Sequence, residues 1–373
     1  MTDYLERFPL LDDVNRATLK AYIRKQEIKQ LQPSSIKDKA WRVCYLLKTL
    51  GWKDARNITK EDIEDYIILR RNTVSPRTLQ GDLIELKIFF RFLSPDKEKE
   101  FFSEKILRPK PKLPDVLTRP DIMAILGACN TVRDRALIMV LWDTGARIDE
   151  VLSLNIGDLN IDRGCGQTRL KGKTGEREAW MIDCLPDLQG WLNIHPGREK
   201  PGNPLFVTYT RYGIGAKRLN IRTVENLCKV LQRRAGVSKR VHPHAFRHAR
   251  ATDRAREGYT EMELRIMFGW SPSSNMPATY IHISGADVKK KLMQKAGLIE
   301  ETSTSEMPLQ PVKCPRCKIM NPPGTMICAG CSLILDAKFA MSIATQERAT
   351  QETERYKELL ERLTAVEGKV SQT

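Results

Sequence analysis

Residues 242–252 read HPHAFRHARAT. Pro243 opens a helix, where its missing N–H costs nothing, and Gly258 closes it, so a helix is predicted over 245–257. His244, Arg247 and His248 lie at its start. Two histidines four apart share a helix face and could in principle hold a metal. No acidic residue joins them as in an HExxH site, however, and Arg247 would press a cation into the same place.

Working outward, Thr260 and Glu263 form a capping box that opens a helix over 261–268. Another helix is expected over 224–234. Arg133–Asp143 and Ile148–Leu154 read as helices on either side of a Thr144-Gly145 break. Thr168–Lys171 and Glu178–Ile182 alternate around a Gly172–Gly175 turn, which is the pattern of a β-hairpin. Leu205–Thr208 is a further candidate strand. Residues 121–298 therefore read as one mixed, mainly-α α+β domain.

Ahead of it, residues 1–107 read as an all-α domain of short amphipathic helices. Ser35 precedes Ile36, Ala40, Val43, Leu46, Leu47 and Leu50 at helical spacing, and Gly51 stops the run. Thr59 with Asp62 makes another capping box, and Ser75-Pro76 starts a helix carrying Leu79, Leu83, Leu86 and Phe90. Residues 108–120, RPKPKLPDVLTRP, hold four prolines and four basic residues. That density keeps a segment extended, as an interdomain linker or a surface loop. Residues 299–312 read as a second, flexible linker. Residues 336–373 read as a charged helical tail, with Tyr356, Leu359, Leu363, Val366 and Val370 at a weak coiled-coil spacing.

A length of 373 residues suits two or three domains. Hydrophobic residues at 41% and charged residues at 29% exclude a wholly disordered chain. Lys and Arg exceed Asp and Glu by 62 − 46, a formal charge of +16 that points to a polyanionic partner, most often nucleic acid. Apolar runs such as Ala136–Trp142 fall short of the roughly 20 residues of a membrane span. Met1–Leu10 has no signal-peptide core. A cytoplasmic, reducing location is therefore expected, where disulfides are a poor default. Cys44, Cys129, Cys165, Cys184 and Cys228 stand alone and read as small apolar fillers.

The other four cysteines form two CxxC knuckles, Cys314 with Cys317 and Cys328 with Cys331. Four thiolates at this spacing fit one tetrahedral zinc ion in a small ribbon over 313–335, with no open position for catalysis. A fragment this short needs the metal for most of its folding energy. A redox pair is the alternative, though one redox site has no need of a second knuckle.

Four further blocks occur in order: TGARIDEVLSL (144–154), GKTGER (172–177), HPHAFRHARAT (242–252) and FGWSPSSNMPATYIHIS (268–284). Together they resemble the tyrosine recombinases of the phage-integrase family, which includes the Xer and Cre enzymes. The resemblance implies a catalytic domain of the DNA breaking-rejoining type over 121–298. By architecture alone it implies a core-binding domain over 1–107 that closes a clamp around DNA. The catalytic residues it implies are Arg147, Lys173, His244, Arg247, Trp270 and Tyr280, with Glu150 in support. Trp270 stands where many members carry a second histidine. The implied partners are double-stranded recombination sites and further copies of the chain, as a tetramer on two duplexes. In the family a helix such as 286–298 docks on a neighbouring subunit; packing on its own domain is the alternative. The zinc ribbon is not general to the family.

The chemistry of these residue types agrees. Cutting a phosphodiester without a catalytic metal means stabilising a phosphorane with about one more negative charge than the ground state. Arg147 and Arg247 can grip the non-bridging oxygens and keep their protons. A tyrosine is only about 0.1% ionised at neutral pH, so Tyr280 needs a proton acceptor, and His244 is the candidate. Lys173 is the candidate acid for the departing 5′ oxygen. A 3′-phosphotyrosyl bond would conserve the energy of the broken linkage, so neither ATP nor Mg²⁺ is needed. A type IB topoisomerase-like enzyme and a non-catalytic DNA-binding regulator are the alternatives.

Overall fold

Side-chain oxygens and prolines set the helix starts along the first hundred residues. The computed structural model of the chain describes residues 5–6, 8–103, 115–162, 164–172, 175–208, 217–283, 293, 296 and 309–370. The chain divides into two units, Met1–Leu113 and Pro114–Thr373. The first is helical: α1 (Asp13–Ile28), α2 (Pro33–Thr49), α3 (Lys60–Thr73), α4 (Pro76–Leu93) and α5 (Pro95–Phe101). Thr59 and Asp62 form the expected box on α3, and Ser75 caps α4. Helix α2 starts at Pro33, ahead of Ser35, because proline's fixed φ suits the first helical position. Helix α1 escaped the periodicity because polar Asn15 and Gln26 are among its buried residues. Asn15 donates to the carbonyls of Trp52 and Lys53 and accepts from the N–H of Ala55, tying α1 to the loop after α2. Tyr22, Val43, Leu47, Phe89 and Phe90 fill the core.

The second unit is built around a helix buried on all sides. Helix α6 (Arg119–Gly127) leads to α7 (Val132–Thr144), in which every residue of Ala136–Trp142 is at most 1% exposed. That apolar run is the domain's axis. After α8 (Ile148–Ser153) come β1 (Leu159–Asp162), β2 (Cys165–Gly172) and β3 (Gly175–Met181), an antiparallel sheet in the order β1-β2-β3. Gly172 pairs with Gly175, so the β2–β3 turn falls where the sequence placed it. Strand β1 and the helix α9 (Leu185–Asn193) were not foreseen. Leu205–Thr208 is no strand of a sheet; it contributes only an isolated bridge between Val207 and Arg218. Helices α10 (Ile221–Ala235), α11 (Pro243–Glu257), α12 (Glu261–Phe268) and α13 (Met276–Ile283) follow.

One buried ion cluster fixes α11 against α7. Arg250, 2% exposed, donates to the Asp143 carboxylate (2.8 Å) and to Asp183 (2.7 Å), and lies 5.1 Å over the Trp142 ring. The other Asp143 carboxylate oxygen accepts from the backbone N–H of Ile182 and Cys184, so the end of β3 is tied to the same point. The chain then turns at Gly145, whose φ of 54° is left-handed. A methyl there would overlap the Phe268 ring, so this turn needs glycine twice over.

The cysteine ribbon is seated on this unit. Strands β4 (Val312–Lys313) and β5 (Met320–Asn321) pair antiparallel. Arg135 of α7 donates to the Pro323 carbonyl (2.8 Å) and to Asp187 of α9 (2.7 Å). Leu309, which the sequence assigned to a linker, is 3% exposed within the main core, because an apolar side chain there has a place to be buried. Helix α14 (Ala337–Val370) is the charged tail. On it Tyr356 is exposed, while the side chains of Leu359, Leu363, Val366 and Val370 lie outside those described. The expected docking helix over 286–298 lies outside the described residues apart from positions 293 and 296. Among the described residues, no helix is long and apolar enough to cross a membrane.

Candidate active site

The break after α7 places Arg147 as the residue preceding α8. Its backbone N–H donates to one Glu150 carboxylate oxygen (2.9 Å) and its guanidinium to the other (2.8 Å). Arg177 of β3 donates to Glu150 (3.3 Å) and to the Met267 carbonyl (2.6 Å). Burial pushes Glu150 up, but the Arg147 N–H and the two guanidiniums outweigh it, and its pKa lies below the usual carboxylate range. Gly172 makes room for this arrangement: a Cβ there would lie 2.5 Å from the Glu150 carboxylate. Lys173, next in the turn, lies outside the described residues.

Arg247, 3% exposed, donates to the carbonyls of Gly145 (2.8 Å) and Phe268 (2.6 Å). Its guanidinium lies 5.3 Å from the centre of the Phe268 ring and 5.5 Å from that of Trp270. Burial, then Arg147 and Arg177, push its pKa down to about 9. Arg147 and Arg177 donate to the Glu150 carboxylate and Arg247 stands in the field of all three, so the site is short of negative charge.

The nucleophile candidate completes a stack. Trp270 lies between Phe268 (centroids 5.0 Å, 18°) and Tyr280 (5.5 Å, 5°). Tyr280 is 1% exposed, and burial raises its phenol to about 12, with Arg247 pulling the other way. Its hydroxyl hydrogen-bonds Nδ1 of His248, not His244. His244 is exposed and stands edge-to-face on His248, ring centres 5.2 Å apart. Crowding of its ring by protein, then the charges of His248, Arg247 and neighbours, pushes its pKa down to about 4. His248 is also lowered, by burial first, then His242 and Arg247.

The structure thus brings Arg147, Glu150, His244, Arg247, Trp270 and Tyr280 into one site. It adds His248 and Arg177, which sequence reasoning left without a role. Both stood inside the quoted blocks. From the sequence His248 reads only as one of two histidines that could hold a metal, and Arg177 is the last residue of GKTGER.

A model described as Phage integrase family matches residues 115–286, the stretch that holds every one of these side chains. Over residues 115–286 the chain belongs to the phage integrase family. As such it is a tyrosine recombinase, an enzyme that cleaves and rejoins DNA. It is 28% identical over 255 residues to the tyrosine recombinase XerD of Bifidobacterium longum, covering 64% of this chain and 82% of that protein. Among solved structures it resembles the XerH site-specific recombinase bound to palindromic difH substrate, with a TM-score of 0.59 at 17% identity over 79% of this chain and 88% of that one. It likewise resembles the Tn1549 transposon integrase in complex with transposon right end DNA, with a TM-score of 0.60 at 19% identity over 75% and 98%.

The recombinase's cysteine cluster lies beyond the matched stretch. The four sulfurs all fall within 4.8 Å of one another. Cys314 and Cys331 are 3.5 Å apart and Cys317 and Cys328 are 3.4 Å apart. Metal–sulfur bonds near 2.3 Å in a tetrahedron imply sulfur separations of about 3.8 Å, so the cage could bind a metal ion. The two knuckles repeat one backbone pattern. Lys318 N–H donates to the Cys314 carbonyl and Ser332 N–H to that of Cys328, and both donors adopt positive φ.

The lowered histidines make a prediction for stability. Between the ordinary histidine pKa of about 6.5 and the folded value of His244, the unfolded chain takes up a proton that the folded chain refuses. Stability therefore falls as pH falls through that window. His244→Gln is expected to flatten the acid side of the melting-temperature profile relative to wild type. An identical profile would contradict the assignment.

Proposed function

We propose that this recombinase cuts one strand at a time at specific sites in double-stranded DNA through a 3′-phosphotyrosyl bond to Tyr280. The observation that carries the reading is Tyr280, stacked on Trp270 and in the field of the Arg247 guanidinium, which is itself in the field of Arg147, Arg177 and Glu150. Three positive charges and one negative leave a surplus of two. A phosphodiester brings one negative charge and its phosphorane about two, so the match improves as the reaction proceeds. Arg147 and Arg247 would grip the non-bridging oxygens, with Glu150 and Arg177 fixing Arg147. His244, neutral and exposed, would hydrogen-bond a phosphate oxygen. Trp270 would hold the tyrosine ring by its face, and Lys173 would protonate the departing 5′ oxygen. Assembly of four copies on two duplexes would let one strand's 5′ hydroxyl attack another's phosphotyrosine. The enzyme would act in the cytoplasm, where such DNA is found.

The test uses duplexes with a randomised core and a nick placed so that the cut fragment diffuses away. Full-length protein should become covalently attached to DNA, and the recovered sequences should define the site. No attachment at any ionic strength would overturn the proposal. Because the +16 charge implies many phosphate contacts, affinity for the recovered site is expected to drop at least about tenfold between 50 and 200 mM salt. A flat response in a binding titration would contradict it.

Cys314, Cys317, Cys328 and Cys331 would hold one structural zinc ion, closed to substrate. Chelation is expected to expose residues 314–331 to proteolysis and to cost less in DNA cleavage than in ribbon folding. Equal loss of both, measured side by side, would show that the ribbon belongs to the cleavage centre.

A further inference from the structure

We infer that His248 is the catalytic base of strand cleavage, taking the Tyr280 proton on Nδ1. The inference rests on the reading of Tyr280 as the nucleophile. The geometry carries it: among the described residues, the Tyr280 hydroxyl makes its side-chain hydrogen bond to His248 Nδ1. The ring planes are inclined by 36° with centres 5.9 Å apart, and the phenol is shut away from water that could otherwise take the proton. A helix turn separates the two histidines of α11, which divides the labour between them. His244 faces outward where a phosphate would arrive, and His248 faces inward to the nucleophile.

To accept a proton, Nδ1 must be bare, so the neutral ring carries its hydrogen on Nε2. The groups around it keep it neutral. His242, His244 and Arg247 face it from α11 and its cap, while Tyr280 meets it from α13. In the step, the bond from Tyr280 Oη to phosphorus forms as the bond from phosphorus to O5′ breaks. The phenol proton passes to His248 Nδ1, and O5′ takes a proton from the general acid proposed above, Lys173. Rejoining runs the same transfers backwards, so His248 returns the proton to Tyr280 and no net proton is consumed.

Two measurements on the full chain test this. The chain has five histidines, so ¹⁵N-histidine spectra can be assigned by substitution. The His248 Nδ1 signal is expected to be that of an unprotonated acceptor and to move in Tyr280→Phe; a protonated Nδ1 near neutral pH would overturn the inference. On the nicked duplex recovered above, His248→Leu and His248→Asn are both expected to form adduct at least about 100-fold more slowly. Both should bind DNA within twofold of wild type and both should lose the acid limb of the rate–pH profile. Asparagine keeps an acceptor near the Nδ1 position but cannot take a proton, so a wild-type rate in His248→Asn would reduce the residue to a holding role and refute the base. A faster rate in His248→Leu would mean that the contact restrains the nucleophile, which also refutes it. Melting curves confirm that the variants fold. Failure of wild type itself to form adduct would instead remove the underlying reading, and the inference with it.

Discussion

Tyr280→Phe is expected to abolish covalent attachment to nicked DNA, lowering its rate at least about 10⁴-fold, while DNA affinity stays within twofold. The substitution deletes one oxygen and little else. The phenyl ring keeps its place against Trp270 and remains buried, so the fold loses only the hydrogen bond to His248, a net cost of about 0.5–1.5 kcal/mol. Arg147 and Arg247, which would bind the phosphate, are anchored by Glu150 and by the carbonyls of Gly145 and Phe268, not by the phenol. Binding and bond-breaking should therefore separate cleanly. Denaturing gels read the adduct, and a mobility shift on the same duplex reads affinity. An adduct in the phenylalanine variant would place the nucleophile elsewhere.

The second large effect concerns stability. Arg250→Met is expected to cost about 3–5 kcal/mol, because it leaves the Asp143 and Asp183 carboxylates buried without their shared cation. For a domain of this size that is a fall of roughly 6–20 °C in melting temperature. Asp183 already has a raised pKa, through burial first and then Asp143. Without the arginine it should rise further. A carboxyl whose folded pKa is raised adds stability at low pH that is lost as pH climbs from its unfolded value through its folded one. The deficit of the variant should accordingly shrink toward acid pH. A deficit under 1 kcal/mol, or one independent of pH, would show that the cluster is not what holds α11 to α7.

Much of this was legible in the sequence, for identifiable reasons. Helices with a capping oxygen and a wide apolar stripe, such as α3, α4 and α12, declare themselves locally. The β2–β3 hairpin was visible because glycines bracket its turn. Helix α1 was not, because Asn15 is buried on hydrogen bonds to a loop 37 and more residues away, which no periodicity encodes. Leu205–Thr208 looked like a strand because its residues are apolar, yet burial here comes from packing in the main core and not from a sheet. At the site, ordered motifs were enough to collect Arg147, Glu150, His244, Arg247, Trp270 and Tyr280. Which histidine meets the phenol was beyond them, since residues 244 and 248 differ only in which side of one helix turn they occupy. Arg177 escaped for a related reason: a charged residue in a strand normally faces water, and only the fold shows it turned under Gly269 and onto Glu150.

The anchoring of Arg247 has one last consequence. Two of its nitrogens are already committed to carbonyls, and its plane rests against two aromatic faces. The rotamer entropy of such a side chain, about 1.5–2 kcal/mol, is surrendered when the polypeptide folds and is not lost again on meeting a ligand. A lysine would gather its donors on one nitrogen, without the planar fork that here reaches two carbonyls from two separate nitrogens. The incoming backbone of a nucleic acid would thus encounter a cation that is already stationary.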